Sequence, residues 1–274
     1  MERTAGNEIF LIHLGGLGDV CLSESTFHSL FSHFGRNICA VGYKRFLGLF
    51  PEYFEQILSV EERSWLWLFS DLPSNKGWKQ AILIGKDKSG EMRKRLSAVS
   101  SESPLFIDLY PEEKALHVEA YQLAQLQKLG IRPLKQEIEE LSGSRIILYP
   151  ERSYAKKKWP YEHFIALYKE LKDIDIDVVL LEAYDSEPQL DDSRRFEDLE
   201  ETARFFTGGG LFFSNDSGVA HLAAACGLAT ITLFWDHDPA IWHPRGRNIA
   251  IQCATHSPNV AEMASLILQV REQA

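Results

Sequence analysis

The segment Ile9-Phe10-Leu11-Ile12-His13-Leu14-Gly15-Gly16-Leu17-Gly18-Asp19-Val20 decides the fold. Ile9 to Leu14 is a short, almost wholly apolar run, the pattern of a strand covered on both faces of a sheet. Glycines follow at once, then apolar residues at helical spacing from Leu22 to Phe34, then a second apolar run from Asn37 to Val41. Strand, glycine-rich turn, helix and strand in that order make a βαβ unit with parallel strands. Ile57 to Val60, Ala81 to Ile84 and Leu105 to Leu109 add further strands. His117 to Leu129 places Val118, Tyr121, Leu126 and Leu129 near a helical period and stops at Gly130, with Pro133 beyond, so it predicts the helix that closes this half.

The pattern then restarts. After the polar, acidic stretch from Lys135 to Ser144 come a strand from Arg145 to Tyr149, a loop, and a helix from Tyr161 to Leu171. Strands follow at Asp177 to Leu181, Leu211 to Phe213 and Thr230 to Phe234, and an amphipathic helix runs from Asn259 to Arg271. The simplest account is two doubly wound α/β domains in tandem, residues 1–138 and 139–274, with the terminal helix 259–272 free to pack back on the first. A length of 274 residues suits two domains of ordinary size. Such sheets bind ligands at the carboxyl ends of their strands, so two Rossmann-like domains facing each other would enclose a cleft lined by strand-to-helix loops.

With 45% hydrophobic and 25% charged residues the chain has the makeup of a globular protein. Its net charge of -10, shared by both halves, argues against nucleic acid as a partner, so a phosphate-bearing ligand must be held locally by helix ends and a few cations. Cys21, Cys39, Cys226 and Cys253 are scattered among small apolar residues and read as core rather than as a disulfide or metal set. No apolar run reaches the roughly 18 residues of a membrane span, and Met1 to Glu8 lacks the apolar stretch of a secretion signal. The expectation is a cytoplasmic protein, with peripheral contact at the inner face of a membrane left open.

Three loops carry the chemistry. In the first, Gly15, Gly16 and Gly18 let another molecule approach the backbone where a helix begins. A dinucleotide fingerprint does not fit, because Cys21 falls at the third glycine and the second strand ends Ala40-Val41-Gly42 without a ribose-binding acid. Asp19 is open to two readings, a cap that complements the helix dipole or a general base facing the cleft. The second loop, Tyr149-Pro150-Glu151-Arg152-Ser153-Tyr154-Ala155-Lys156-Lys157-Lys158-Trp159-Pro160, sets three lysines just before a helix, where phosphate would be drawn, although lysine runs are often simply solvated. The third, Phe213-Ser214-Asn215-Asp216-Ser217-Gly218-Val219-Ala220-His221, runs from a strand into an alanine-rich helix whose bare N–H groups suit a diphosphate, with Asp216 capping them and His221 one turn on.

Taken together these segments resemble glycosyltransferase family 9, the lipopolysaccharide heptosyltransferases. The matching motifs run in order: Gly18-Asp19-Val20, His117-Val118-Glu119-Ala120-Tyr121 with Leu129-Gly130-Ile131, Lys157-Lys158-Trp159-Pro160, Asn215-Asp216-Ser217-Gly218 to His221, and Phe234-Trp235-Asp236-His237-Asp238-Pro239. The resemblance implies the GT-B fold, a nucleotide-sugar co-substrate in place of a cofactor, ADP-heptose as the donor, and an envelope glycan or lipid-linked acceptor. It implies that Asp19 is the catalytic base and that Ser153, Lys157, Asp216, Ser217, Gly218 and His221 contact the donor phosphates, without a metal. Glu182, Asp185 and Glu187 are candidates for the ribose-binding acid, with no choice among them. On the acceptor side stand Gly16 and Gly18, and a basic loop around Gly90 that includes Lys88 and Arg93 and could meet an anionic acceptor or merely be solvated. Trp65 and Trp67 could pack in the core or touch a lipid-linked acceptor. Glu151 and the short second half depart from the family. They leave room for a weakened relative that binds a nucleotide sugar or glycan without turnover, and a sugar-nucleotide epimerase on the same architecture is the third reading.

Overall fold

A computed structural model describes residues 8–72, 74, 77–112, 115–150, 158–183 and 190–272. The chain divides into two compact units, Met1–Gln136 and Glu137–Ala274.

Unit 1 runs β1 (Ile9–His13), α1 (Leu17–Leu22), α2 (Glu24–Phe34), β2 (Ile38–Gly42), α3 (Lys44–Leu47), β3 (Gln56–Ser59), β4 (Gln80–Ile84), α4 (Glu91–Val99), β5 (Leu105–Ile107) and α5 (Val118–Lys128). Its five strands are parallel in the order β3-β2-β1-β4-β5, with Ile9 opposite Ile38 on one side and Gln80 on the other. The three central strands are buried at every position, which is why they read as apolar runs rather than alternations.

One face of this sheet is roofed by aromatic rings. Trp65 and Trp78 stack on Phe10 at 5.4 and 4.7 Å, and Trp67 lies 6.2 Å away, so both tryptophans of the 3-10 helix Arg63–Leu68 belong to the core. The segment around them nevertheless leaves Leu66, Phe69 and Leu72 exposed. On the other face α2 and α5 meet through a buried polar seam, where Ser25 donates to Glu119 at 2.5 Å and Thr26 to Gln122 at 2.8 Å.

Two features of this unit differ from expectation. The first helix starts at Leu17 and is interrupted at Ser23, so residues read as loop form a helical turn of their own. The stretch read as a basic loop contains α4, whose N-terminal N–H groups on Met92 and Arg93 are taken by the Asp87 carboxylate at 3.1 and 2.8 Å. That cap stands several residues upstream of the helix, with Gly90 in the left-handed region between them, and its signature is absent at the usual spacing.

Unit 2 runs β6 (Ile146–Tyr149), α6 (Tyr161–Asp173), β7 (Val178–Leu180), α7 (Leu199–Phe206), β8 (Leu211–Asn215), α8 (Gly218–Ala225), β9 (Ala229–Phe234), α9 (Pro239–Trp242), β10 (Asn248–Gln252) and α10 (Val260–Arg271). These strands are also parallel, in the order β10-β9-β8-β6-β7. The terminal helix α10 packs on α6 within this unit and shares its core with Phe164, Leu167 and Leu171. It starts from a reciprocal cap in which Asn259 and Glu262 each accept the other's backbone N–H, at 3.0 and 2.9 Å. β10 and α7 were not anticipated: β10 is a partly buried edge strand whose apolar stretch is only Ile249-Ala250-Ile251, too short to stand out.

Candidate functional site

The turn after β1 is built around Asp19. Gly16 precedes α1, and Asp19, three residues on, accepts its N–H through Oδ2 at 2.9 Å, which is the acidic half of a capping box. The cap reading of Asp19 therefore holds, and it fixes the carboxylate at the carboxyl end of the central strand. Gly15 is required here: a Cβ on it would lie 2.5 Å from Cβ of Asp19 and 2.8 Å from Cε1 of His13, whereas one on Gly16 would come no closer than 3.8 Å to Asp19. Gly18 lies in the first turn of α1.

His13 braces this turn from below. Its Nδ1 accepts the Gly15 N–H at 3.2 Å, which leaves the ring proton on Nε2, 3.1 Å from Ser23 Oγ. Ser23 passes its own proton to the Asp19 carbonyl at 2.8 Å and accepts from Gln122 at 3.1 Å. Complete burial depresses the His13 pKa to about 4, opposed by a hydrogen bond with its own backbone, so the ring is neutral. The sequence signal was slight, a single histidine closing an apolar strand before two glycines.

Beside this turn, at the end of the neighbouring β4, Lys86 reaches Glu112 at 3.5 Å and Asp108 at 3.9 Å and lies over the Tyr110 ring. Lys88 is 3.1 Å from Glu112, and its bond holds that carboxyl below the ordinary range. Arg93 stacks on Phe106 at 4.0 Å. Both cations proposed for an anionic acceptor thus already have partners, and Lys86 is the better covered cation of the cluster, 18% exposed.

In unit 2 the site is organised by Asn215, the last residue of β8. Its buried Oδ1 accepts the Trp159 backbone N–H at 2.8 Å and the Trp235 indole N–H at 3.1 Å, and its Nδ2 donates to the Trp159 carbonyl at 3.3 Å. Trp159 is itself buried, with its indole donating to Pro258 at 2.7 Å. One amide thereby ties the Lys158-Trp159-Pro160 segment after β6 and the Trp235 segment after β9 to the loop between them, which begins α8. Strand order supplied this grouping, and sequence spacing alone did not reveal it.

The helix cap is Ser217, not Asp216: the serine hydroxyl accepts the Ala220 N–H at 3.2 Å. Asp216 turns instead to His237, with Oδ2 2.6 Å from Nδ1, while Oδ1 lies 4.0 Å from Nε2 of His221. Burial pushes the Asp216 carboxyl above its ordinary pKa, and the bond and charge of His237 pull against that. Gly218 opens α8, and His221 is buried within it. Glu182, just after β7, is buried and accepts from the Tyr161 and Ser193 hydroxyls at 2.7 and 2.6 Å. Ser153 and Lys157, with Glu151, Asp185 and Glu187, lie outside the described residues. Among the described residues no group of three or more His, Cys, Asp or Glu side chains is placed to hold a metal, and no helix is long and apolar enough to cross a membrane.

The family model for glycosyltransferase family 9 (heptosyltransferase) matches residues 113–266. No curated protein sequence matches the chain. Among solved structures, the family 9 glycosyl transferase from Veillonella parvula DSM 2008 is similar at 14% identity, with a TM-score of 0.68 over 99% of this chain and 96% of its own. E. coli heptosyltransferase WaaC, solved with ADP, is similar at 16% identity and a TM-score of 0.67, covering 97% of this chain and 99% of its own. E. coli ADP-heptose lps heptosyltransferase II gives 18% identity and a TM-score of 0.66, covering 97% of this chain and 100% of its own. At these identities the likeness is one of fold, the GT-B fold.

Proposed function

The chain belongs to glycosyltransferase family 9, the heptosyltransferases, and from that premise we propose that it transfers a heptose from ADP-heptose to a lipopolysaccharide-core or related envelope acceptor with inversion. It is a glycosyltransferase; its donor, its acceptor and the roles of its single residues are what we propose. The observation that carries this reading is the Asn215 tie, which gathers the lysine-bearing segment after β6, the N-terminus of α8 and the segment after β9 about one strand end. That grouping suits a diphosphate: Ser217 caps the helix while leaving amides and the helix dipole to the anion, and the lysine run supplies cations.

In the reaction, Asp19 takes the proton from the acceptor hydroxyl as its oxygen attacks the anomeric carbon. The bond from that carbon to the diphosphate breaks on the opposite face, and ADP leaves with the bonding electrons. Lys157, Ser153 and the α8 amides meet the charge it gains, without a metal or other cofactor. Glu182, oriented by Tyr161 and Ser193, serves the ribose. The E. coli relatives, WaaC solved with ADP and the ADP-heptose lps heptosyltransferase II, support this donor. Exposed Leu66, Phe69 and Leu72 support peripheral contact with the cytoplasmic face of the membrane, where a lipid-linked acceptor would lie.

Titration calorimetry with ADP, GDP, UDP and dTDP, with and without magnesium, tests the donor. ADP should bind equally well in both conditions, and Lys157→Ala should abolish that binding. A preference for UDP would replace the donor and turn attention to the epimerase reading, and binding of none would favour a weakened relative. Asp19→Asn should keep ADP affinity and lower transfer by about 10²–10⁴-fold; transfer at the native rate would remove Asp19 as the base.

A further inference from the structure

β7 ends the sheet of unit 2, and its free edge at Val178 and Val179 borders a cavity of about 310 Å³. Tyr168 and Lys172 of α6, Phe205 of α7, Arg145 just before β6, and Arg194 beyond β7 form its walls. Three cations thus meet two acids, Asp177 and Asp192, in a chain whose net charge is -10. Both acids are already engaged: Asp177 pairs with Arg145 Nε at 3.1 Å, and Asp192 accepts the Tyr168 hydroxyl. Lys172 lies 5.5 Å over the Tyr168 ring, which positions its ammonium without using its N–H donors, and Arg145 lies 5.5 Å over Phe205. Among the described residues neither Lys172 nor Arg194 has an ion-pair partner.

Two cations without a counter-charge, set in a cavity with apolar and aromatic walls, match a dianion that carries a small organic body. We propose that this cavity is a second binding site, for a small phosphate monoester, with the phosphoryl group held by Lys172 and Arg194 and the organic part resting on Phe205 and the β7 edge. One segment joins it to the donor site. Arg194 is bonded to the strand on both sides, its N–H to the Leu180 carbonyl at 2.8 Å and its carbonyl to the Glu182 N–H at 2.9 Å, and its neighbour Ser193 donates to the Glu182 carboxylate at 2.6 Å. Glu182 is the acid assigned above to the ribose, so a ligand that immobilises Arg194 steadies the residue orienting Glu182 and tightens the binding of ADP. This coupling rests on the donor reading; the site itself does not.

Calorimetric titration with glycerol 3-phosphate, with and without saturating ADP, tests the proposal, and uncharged glycerol is the control. The phosphate ester should bind at a single site in both conditions, and glycerol should not bind. The double variant Lys172→Gln, Arg194→Gln should weaken that binding by at least about tenfold, whereas Lys157→Ala should leave it unchanged. In wild type, saturating glycerol 3-phosphate should raise ADP affinity about threefold, and by reciprocity ADP should raise the ester's affinity by the same factor; Ser193→Ala should remove both effects. An ester that does not bind, that binds no better than glycerol, or that the double variant still binds overturns the site. Binding lost in Lys157→Ala instead places the ester on the donor loops and overturns it as well. A protein that binds no ADP removes the donor reading and the coupling, while the ester titrations still decide the site. Lys172 and Arg194 are exposed, so the double variant should melt with wild type, and Arg194→Ala alone repeats the comparison if it does not.

Discussion

Asn215→Ala should separate what the central amide does for stability from what it does for the site. The substitution removes three hydrogen bonds at once and leaves the buried Trp159 N–H, and the partly buried Trp235 indole N–H, without their acceptor. A buried donor left unsatisfied costs about 1–3 kcal/mol, and the indole can recover part of its loss from water, so the total should be about 2–4 kcal/mol. For a protein of this size that lowers the melting temperature by on the order of 10 °C. Circular dichroism melts measure it directly. Calorimetry well below the transition should then show ADP bound at least about tenfold more weakly, because the lysine segment and the α8 loop no longer share an anchor. A melt within 2 °C of wild type would refute the hydrogen-bond argument. A lowered melt with unchanged ADP affinity would show that the anchor serves the fold alone.

Gly15→Ala should lower transfer by about tenfold or more while leaving ADP affinity intact, since the new Cβ would press on Asp19 at 2.5 Å; Gly16→Ala, with 3.8 Å to spare, should be nearly silent in the same assays. His13 makes stability fall with acid. Its folded pKa of about 4 lies below the ordinary histidine value of 6.5 that it has in the unfolded chain, so its contribution is complete above pH 6.5 and fades as pH drops toward 4. The loss from pH 7 to pH 4 is about 3 kcal/mol, and urea unfolding of His13→Gln should show a correspondingly weaker acid slope. Equal slopes in the two proteins would mean that His13 is not held neutral. Phe69→Ser, on the exposed segment beside the tryptophan core, should leave the melt nearly unchanged and reduce co-sedimentation with lipid vesicles; vesicle binding equal to wild type would discard that segment as the contact.

How far the sequence could be read depended on burial. β1, β2 and β4 are covered on both faces and announced themselves as apolar runs, and α6 and α10 showed a clear helical period. β10, partly buried at the sheet edge with too short an apolar stretch, and α4, capped from a distance by Asp87, carried no such mark. The glycine turn with Asp19 and the Asp216-Ser217-Gly218 loop were legible because both are local motifs at strand ends. The division of labour inside the second was not, because it depends on the neighbouring strand: once Ser217 caps α8, Asp216 is available to a histidine twenty-one positions away. Asn215 was quoted within a motif, but its partners on two other loops follow only from the order of β6, β8 and β9.

The parallel sheets also bear on how the chain is made. Every ladder joins strands distant in sequence, as when Ile9 pairs with Gln80 and Leu211 with Ala229, and such pairings form slowly because a long loop must close first. Yet each sheet draws all its strands from one contiguous half, β1–β5 before Gln136 and β6–β10 after it. The first half can therefore complete its ladders while the second is still being synthesised, and the exposed edges of an unfinished sheet never need to choose between the strands of the two.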